Sequence, residues 1–139
     1  MHWLPWALLS AVFAGLTAIL AKIGVKDVDS NLATAIRTSV ILVFAWLVAW
    51  ISNRQPLPSL TTRTWIFLAL SGLATGASWL CYFRALQLGD ASKVAPIDKL
   101  SVVFVILLAW PILGEGISFG KVLGGILIAA GAIVLAVAH

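Results

Sequence analysis

Of the 139 residues, 62% are hydrophobic and 10% charged, against roughly 45–50% and about 25% in globular chains. A domain of this size buries about two thirds of the surface its unfolded chain exposes, so in water the surplus apolar area would aggregate. The net charge of +4 and the single cysteine, Cys81, offer no disulfide framework and no metal-ligand spacing, and the basic residues read through membrane topology rather than nucleic-acid binding.

The expected class is therefore all-α, a polytopic bundle of five transmembrane helices in the lipid bilayer. A span needs about twenty mostly apolar residues, because the hydrocarbon is about 30 Å thick and each helical residue rises about 1.5 Å. Five runs qualify: Trp3 to Ile23, Leu32 to Ile51, Thr64 to Leu86, Val94 to Leu113 and Phe119 to Ala138. The leader Met1-His2-Trp3 has no Lys or Arg and its apolar run continues to Lys22, so the first run reads as a retained span rather than a cleaved signal. Residues 26–31 and 53–59 have loop chemistry, whereas Gly89-Asp90-Ala91-Ser92 and Gly114-Glu115-Gly116 suit tight helical hairpins. Runs this continuous exclude a transmembrane barrel, whose strands alternate over roughly ten residues. Trp3, Trp6, Trp50, Trp65 and Trp110 sit near run ends, as interfacial belts require.

Small residues mark packing faces. Gly116, Gly120 and Gly124 recur at four-residue spacing, with Gly125 and Gly131 beyond them, and such a stripe lets another helix approach closely. It serves equally for a neighbour in the same chain or for self-association. Ala7, Ala11, Ala14, Gly15 and Ala18 form a similar seam in the first run.

Charge within the runs carries the functional expectation. Connectivity places Lys22, Arg37, Arg84, Lys93, Asp98 and Lys99 in or near one half of the bilayer, and each such group costs at least roughly 2.5 kcal/mol in hydrocarbon unless compensated. Asp98 and Lys99 lie about two turns, roughly 9 Å, into the fourth run. Adjacent helical residues point about 100° apart and do not face one another, so Asp98 calls for Arg84 or Lys22, while Lys99 has the stem to snorkel toward headgroups. Pro96 removes a backbone hydrogen bond and favours a kink that frees a carbonyl. The cluster is read as a substrate or ion pathway, against an ion-pair network that only fixes helix positions. Lys22 and Arg37 serve function or headgroup anchoring, Trp79 and Tyr82 line a cavity or pack as aromatics, and Glu115 caps the last helix.

Orientation is ambiguous. Lys22, Lys26, Arg37, Arg84, Lys93 and Lys99 outnumber Arg54, Arg63 and Lys121 on the opposite face, which places the C-terminus in the cytoplasm. Without Arg37, Arg84 and Lys99, the residues most exposed to burial in the bundle, the faces balance and the chain inserts both ways. Five spans put the termini on opposite sides, so an inverted second copy supplies the partner repeat that alternating access requires.

Tyr82-Phe83-Arg84-Ala85-Leu86, Ala95-Pro96-Ile97, Leu113-Gly114-Glu115, Gly124 and Gly131, in that order and at five-span spacing, resemble the EamA repeat of the drug/metabolite transporter superfamily. Arg37 falls where that repeat often has arginine, and Ala95-Pro96-Ile97-Asp98-Lys99-Leu100-Ser101 looks most like the single-repeat, five-span bacterial and archaeal branch. The resemblance implies a secondary transporter of metabolites or other small organic solutes in the inner membrane, acting as an antiparallel homodimer or with a homologous chain. The four-span multidrug relatives use a glutamate in the first helix for proton exchange, and no carboxylate lies between Trp3 and Lys22 here. The net cationic cluster favours anionic or zwitterionic solutes. The rival expectation is a non-transporting structural or assembly subunit. No nucleophile with its base, metal-ligand cluster or phosphate loop is visible, so the sequence calls for neither an enzyme nor a cofactor.

Overall fold

A computed structural model describes residues 2–52 and 60–138. The second loop, with Arg54, lies outside the described residues. The elements in order are α1 (Trp3–Gly24), α2 (Ser30–Ser52), α3 (Thr62–Leu88), α4 (Ala91–Asp98), α5 (Ser101–Leu113) and α6 (Phe119–Val137). The class is all-α, and five spans are long and apolar enough to cross a membrane, with α4 and α5 forming one of them, Ala91–Leu113. At most 11% of any span's most apolar stretch is buried, and Leu8, Val43, Leu73, Leu107 and Val134 are among the large apolar side chains left exposed. That surface suits hydrocarbon and no aqueous solvent.

Short polar residues start the helices where the loops end. Asp29 caps α2, its Oδ1 accepting from the Asn31 and Leu32 N–H groups, both at 3.0 Å. Thr61 caps α3 by accepting from the Thr64 N–H at 3.2 Å, and Ser118 caps α6 by accepting from the Lys121 N–H at 3.3 Å. Each satisfies a donor that the first helical turn leaves without a partner. Inside the spans, the hydroxyls of Thr34, Thr38, Ser39 and Thr75 donate to carbonyls four residues back on their own helices, so these polar groups enter lipid already satisfied.

The chain divides into two compact units. One contains α1 as far as Lys22 together with the chain from Leu88 onward. Within it α6 packs on both α4 and α5, and Ala109 and Ala132 are buried. A Cβ on Gly125 would meet Ile106 Cδ1 at 3.3 Å, so Gly125 is the glycine that close packing in this unit requires. The hairpin before α6 turns at Gly114, whose φ of +68° favours glycine, while the N–H groups of Gly114 and Glu115 return to the carbonyls of Trp110 and Ala109. Two expectations change here. Ser118, not Glu115, caps α6, and Glu115 pairs with Lys121 at 3.2 Å, because three residues without regular structure separate the carboxylate from the helix start. Gly116 lies in that connection and not on the helical stripe, which begins at Gly120.

The other unit runs from Ile23 to Gln87. Its interior gathers Val25, Ser30, Thr34, Phe83 and Leu86, all buried, so the connection into α2 packs with the C-terminal turns of α3.

Candidate functional site

In the Ile23–Gln87 unit, the second turn of α2 carries Arg37, and α3 carries Trp79 and Phe83 one turn apart on a single face. The Arg37 guanidinium carbon lies 4.2 Å from the Trp79 ring centroid and 5.4 Å from that of Phe83. A cation over aromatic faces at these distances gains about 0.5–2 kcal/mol, most where water is excluded. Phe83 is buried, and Arg37, Trp79 and Tyr82 are half-buried. Tyr82 meets Phe83 edge-on, with centroids 6.5 Å apart. Trp79 and Tyr82 thus belong to one aromatic group with Arg37, and Trp79 is its cation platform. Among the described residues, no carboxylate lies within 4.0 Å of Arg37; the ion pairs there are Lys99 with Asp98 and Lys121 with Glu115.

The next residue after Phe83, Arg84, takes a different role. It donates to Gln87 Oε1 at 3.0 Å, and the Gln87 amide donates to the Val25 carbonyl at 3.2 Å and to the Val28 carbonyl. Both ends of this amide are used, so the α1–α2 connection is tied to the end of α3. Gln87 escaped the sequence reading because an amide at a run's edge looks like a headgroup residue. Its three-residue spacing from Arg84, which makes the two neighbours on a helix, was the available signal.

In the other unit, Lys22 donates from Nζ to the Gly89 carbonyl at 2.8 Å, fastening the end of α1 to the turn before α4. Asp98 ends α4, seven residues or about 10 Å along the span from Ala91. There the backbone tightens: the Lys99 and Leu100 N–H groups bond the Pro96 and Ile97 carbonyls, three residues back, and Val102 and Val103 repeat the pattern with Lys99 and Leu100. Such a tightened turn inside a helix often marks a hinge. Pro96, with no N–H to give, precedes it by one turn. Lys99 Nζ lies 3.3 Å from Asp98 Oδ2, which corrects the expectation that these neighbours cannot pair. The 100° offset governs where Cβ atoms point, and the lysine stem is long enough to fold back beside the interrupted helix. Asp98 and Arg84, expected as mutual partners, each have a partner inside their own unit.

Asp98 is also the one carboxylate inside any span among the described residues, whereas the spans hold Lys22, Arg37, Arg63, Arg84, Lys93, Lys99 and Lys121. The polar inventory of the membrane region is therefore strongly cationic. The sequence profile of the EamA-like transporter family matches residues 1–137.

The chain belongs to the EamA-like transporter family. A Sinorhizobium sp relative named "Uncharacterized transporter in cobO 3'region" is 57% identical over 136 residues, covering 97% of this chain and 96% of the relative. No solved structure matches. Family membership, with five apolar spans, makes this EamA-like chain a multi-pass membrane protein.

Proposed function

We propose that this chain is one half of a secondary transporter for small organic solutes, completed in the inner membrane by a second copy inserted in the opposite orientation. The interruption of the fourth span at Lys99 and Leu100, beside the intramembrane Asp98, supports this reading most. Discontinuous transmembrane helices are the recurring way transporters present backbone and charge to a solute between inverted repeats, and intramembrane charge is functional by default. In this scheme Asp98 and Lys99 gate or bind, the Pro96 turn supplies the hinge, and Lys22 and Arg84 hold the ends of the neighbouring spans.

Two features support a second copy. Five spans leave the termini on opposite sides of the membrane, so each orientation supplies one repeat of an inverted pair. On α6, positions Gly124 and Gly131 have nothing within 4 Å of where a Cβ would stand, and Gly120 has only the Ser118 hydroxyl at 4.0 Å. These glycines leave room for another helix to approach closely. Purified chain in proteoliposomes is expected to pass at least one member of a panel of labelled organic acids, amino acids and sugars faster than protein-free vesicles do. Retention of the whole panel at the protein-free rate contradicts the proposal.

A further inference from the structure

We propose that Arg37, seated on Trp79 and Phe83, is an oxyanion receptor, and that the solute handled by this chain carries a carboxylate or phosphonate-like group beside an apolar body. The inference rests on the transport reading and names its substrate class.

Three observations carry it. First, the seat over the rings leaves guanidinium N–H donors available. A guanidinium over a ring is held by its charge, and its five in-plane N–H donors keep the fork that matches an oxyanion. No carboxylate of the described residues occupies that fork, and Arg37 is only half-buried, so a ligand has access.

Second, the rings hold the charge within the span. Arg37 is seven residues beyond Ser30 and Trp79 is nine residues before Leu88, about 10 Å and about 13 Å along their respective helices. Helical side chains lean toward their own N-terminus, which for Arg37 is the near membrane edge and for Trp79 the membrane interior. A headgroup anchor would extend along its own lean to the edge. Arg37 instead reaches across to α3, lying nearest Trp79, the deeper of the two rings, with Phe83 on the side toward the edge.

Third, the neighbouring cation differs in its contact: Arg84 gives an N–H to the Gln87 amide, whereas the contacts of Arg37 are with ring faces, which accept no in-plane hydrogen bond. An oxyanion binding there would acquire charge-assisted, bidentate hydrogen bonds on one side and ring walls for an apolar substituent on the other.

Lipid phosphate offers the same chemistry as a solute oxyanion, so the test separates the two sources. Protein in phosphatidylcholine nanodiscs is treated with phenylglyoxal, and modification of Arg37 is quantified by peptide mass spectrometry. The probes are benzoate and phenylphosphonate, with benzylamine and benzyl alcohol as cationic and neutral controls of similar shape. The proposal expects either anion to slow Arg37 modification at least fivefold, with no protection by the controls. It also expects Trp79→Leu to weaken protection while the chain still elutes as a folded species. Protection by added phosphatidylglycerol but by neither soluble anion overturns the proposal in favour of a headgroup site. Equal modification under all conditions overturns it outright. Because the readout is chemical protection, flux without protection removes this site and leaves transport standing, whereas protection without flux does the reverse.

Discussion

The two regions where charge enters the spans solve the same problem in opposite ways. At the break between α4 and α5, the intramembrane carboxylate meets a cation from the next residue, and the pair is substantially accessible, with Lys99 56% and Asp98 36% exposed at the side chain. In the other unit, Arg37 has no acidic partner among the described residues and is held by rings instead. A neutralised pair on a tightened turn is suited to changing partners as a helix flexes. A cation on an aromatic platform is suited to waiting for an anion that the chain itself does not supply.

The largest test of that contrast is Asp98→Asn. Flux in proteoliposomes is expected to vanish while size-exclusion behaviour, helical circular dichroism and anion protection of Arg37 remain as in the wild type. Wild-type flux in this variant would remove Asp98 from the mechanism and leave the two regions alike in having no demonstrated task.

Next in size is Gln87→Leu. It strips the Val25 and Val28 carbonyls of a shared donor, and losing such satisfied groups costs about 1–3 kcal/mol. Unfolding in detergent should detect this, with amide exchange rising in residues 25–32 and unchanged across the α4–α5 break. Arg84→Met should cost less, about 1 kcal/mol, because Gln87 keeps its carbonyl partners and loses only its acceptor-side bond. If Arg84→Met proves the more damaging of the two, Arg84 has a task beyond orienting this amide.

The smallest effect belongs to Lys99→Gln. The pair joins adjacent residues and ties no two helices together, so thermal stability should change little. A large loss would show that the pair acts as a structural clamp and not as an exchangeable contact.

The spans were legible in the sequence because the cost of exposing backbone to hydrocarbon forces long apolar helices, and their lengths follow from the bilayer. The boundaries read from residue order fall within three residues of those observed. That Asp98, Lys99 and Pro96 set this span apart was legible for the same reason, since charge and proline stand out against an apolar run. Partnerships were not. Ideal helical geometry sends Asp98 to Arg84 or Lys22 because it runs straight through a point where the helix is interrupted. Glu115 looks like a cap in the sequence because the irregular connection up to Ser118 leaves no signature that marks where the helix starts. Arg37 was marked only as functional or anchoring: cation–aromatic contact depends on how α2 and α3 pack, and the 79/83 spacing shows which rings share a face without showing what they meet.

The central claim, a transporter completed by an inverted copy, is tested most directly by two-sided labelling. In a Cys81→Ser background, His2→Cys and Ala138→Cys are probed separately with an impermeant maleimide from outside and inside sealed cells. The account predicts that each terminus labels from both sides in one preparation, as two opposed populations, and that Gly124→Leu separates the pair without unfolding the chain. Labelling of each terminus from one side alone would contradict it.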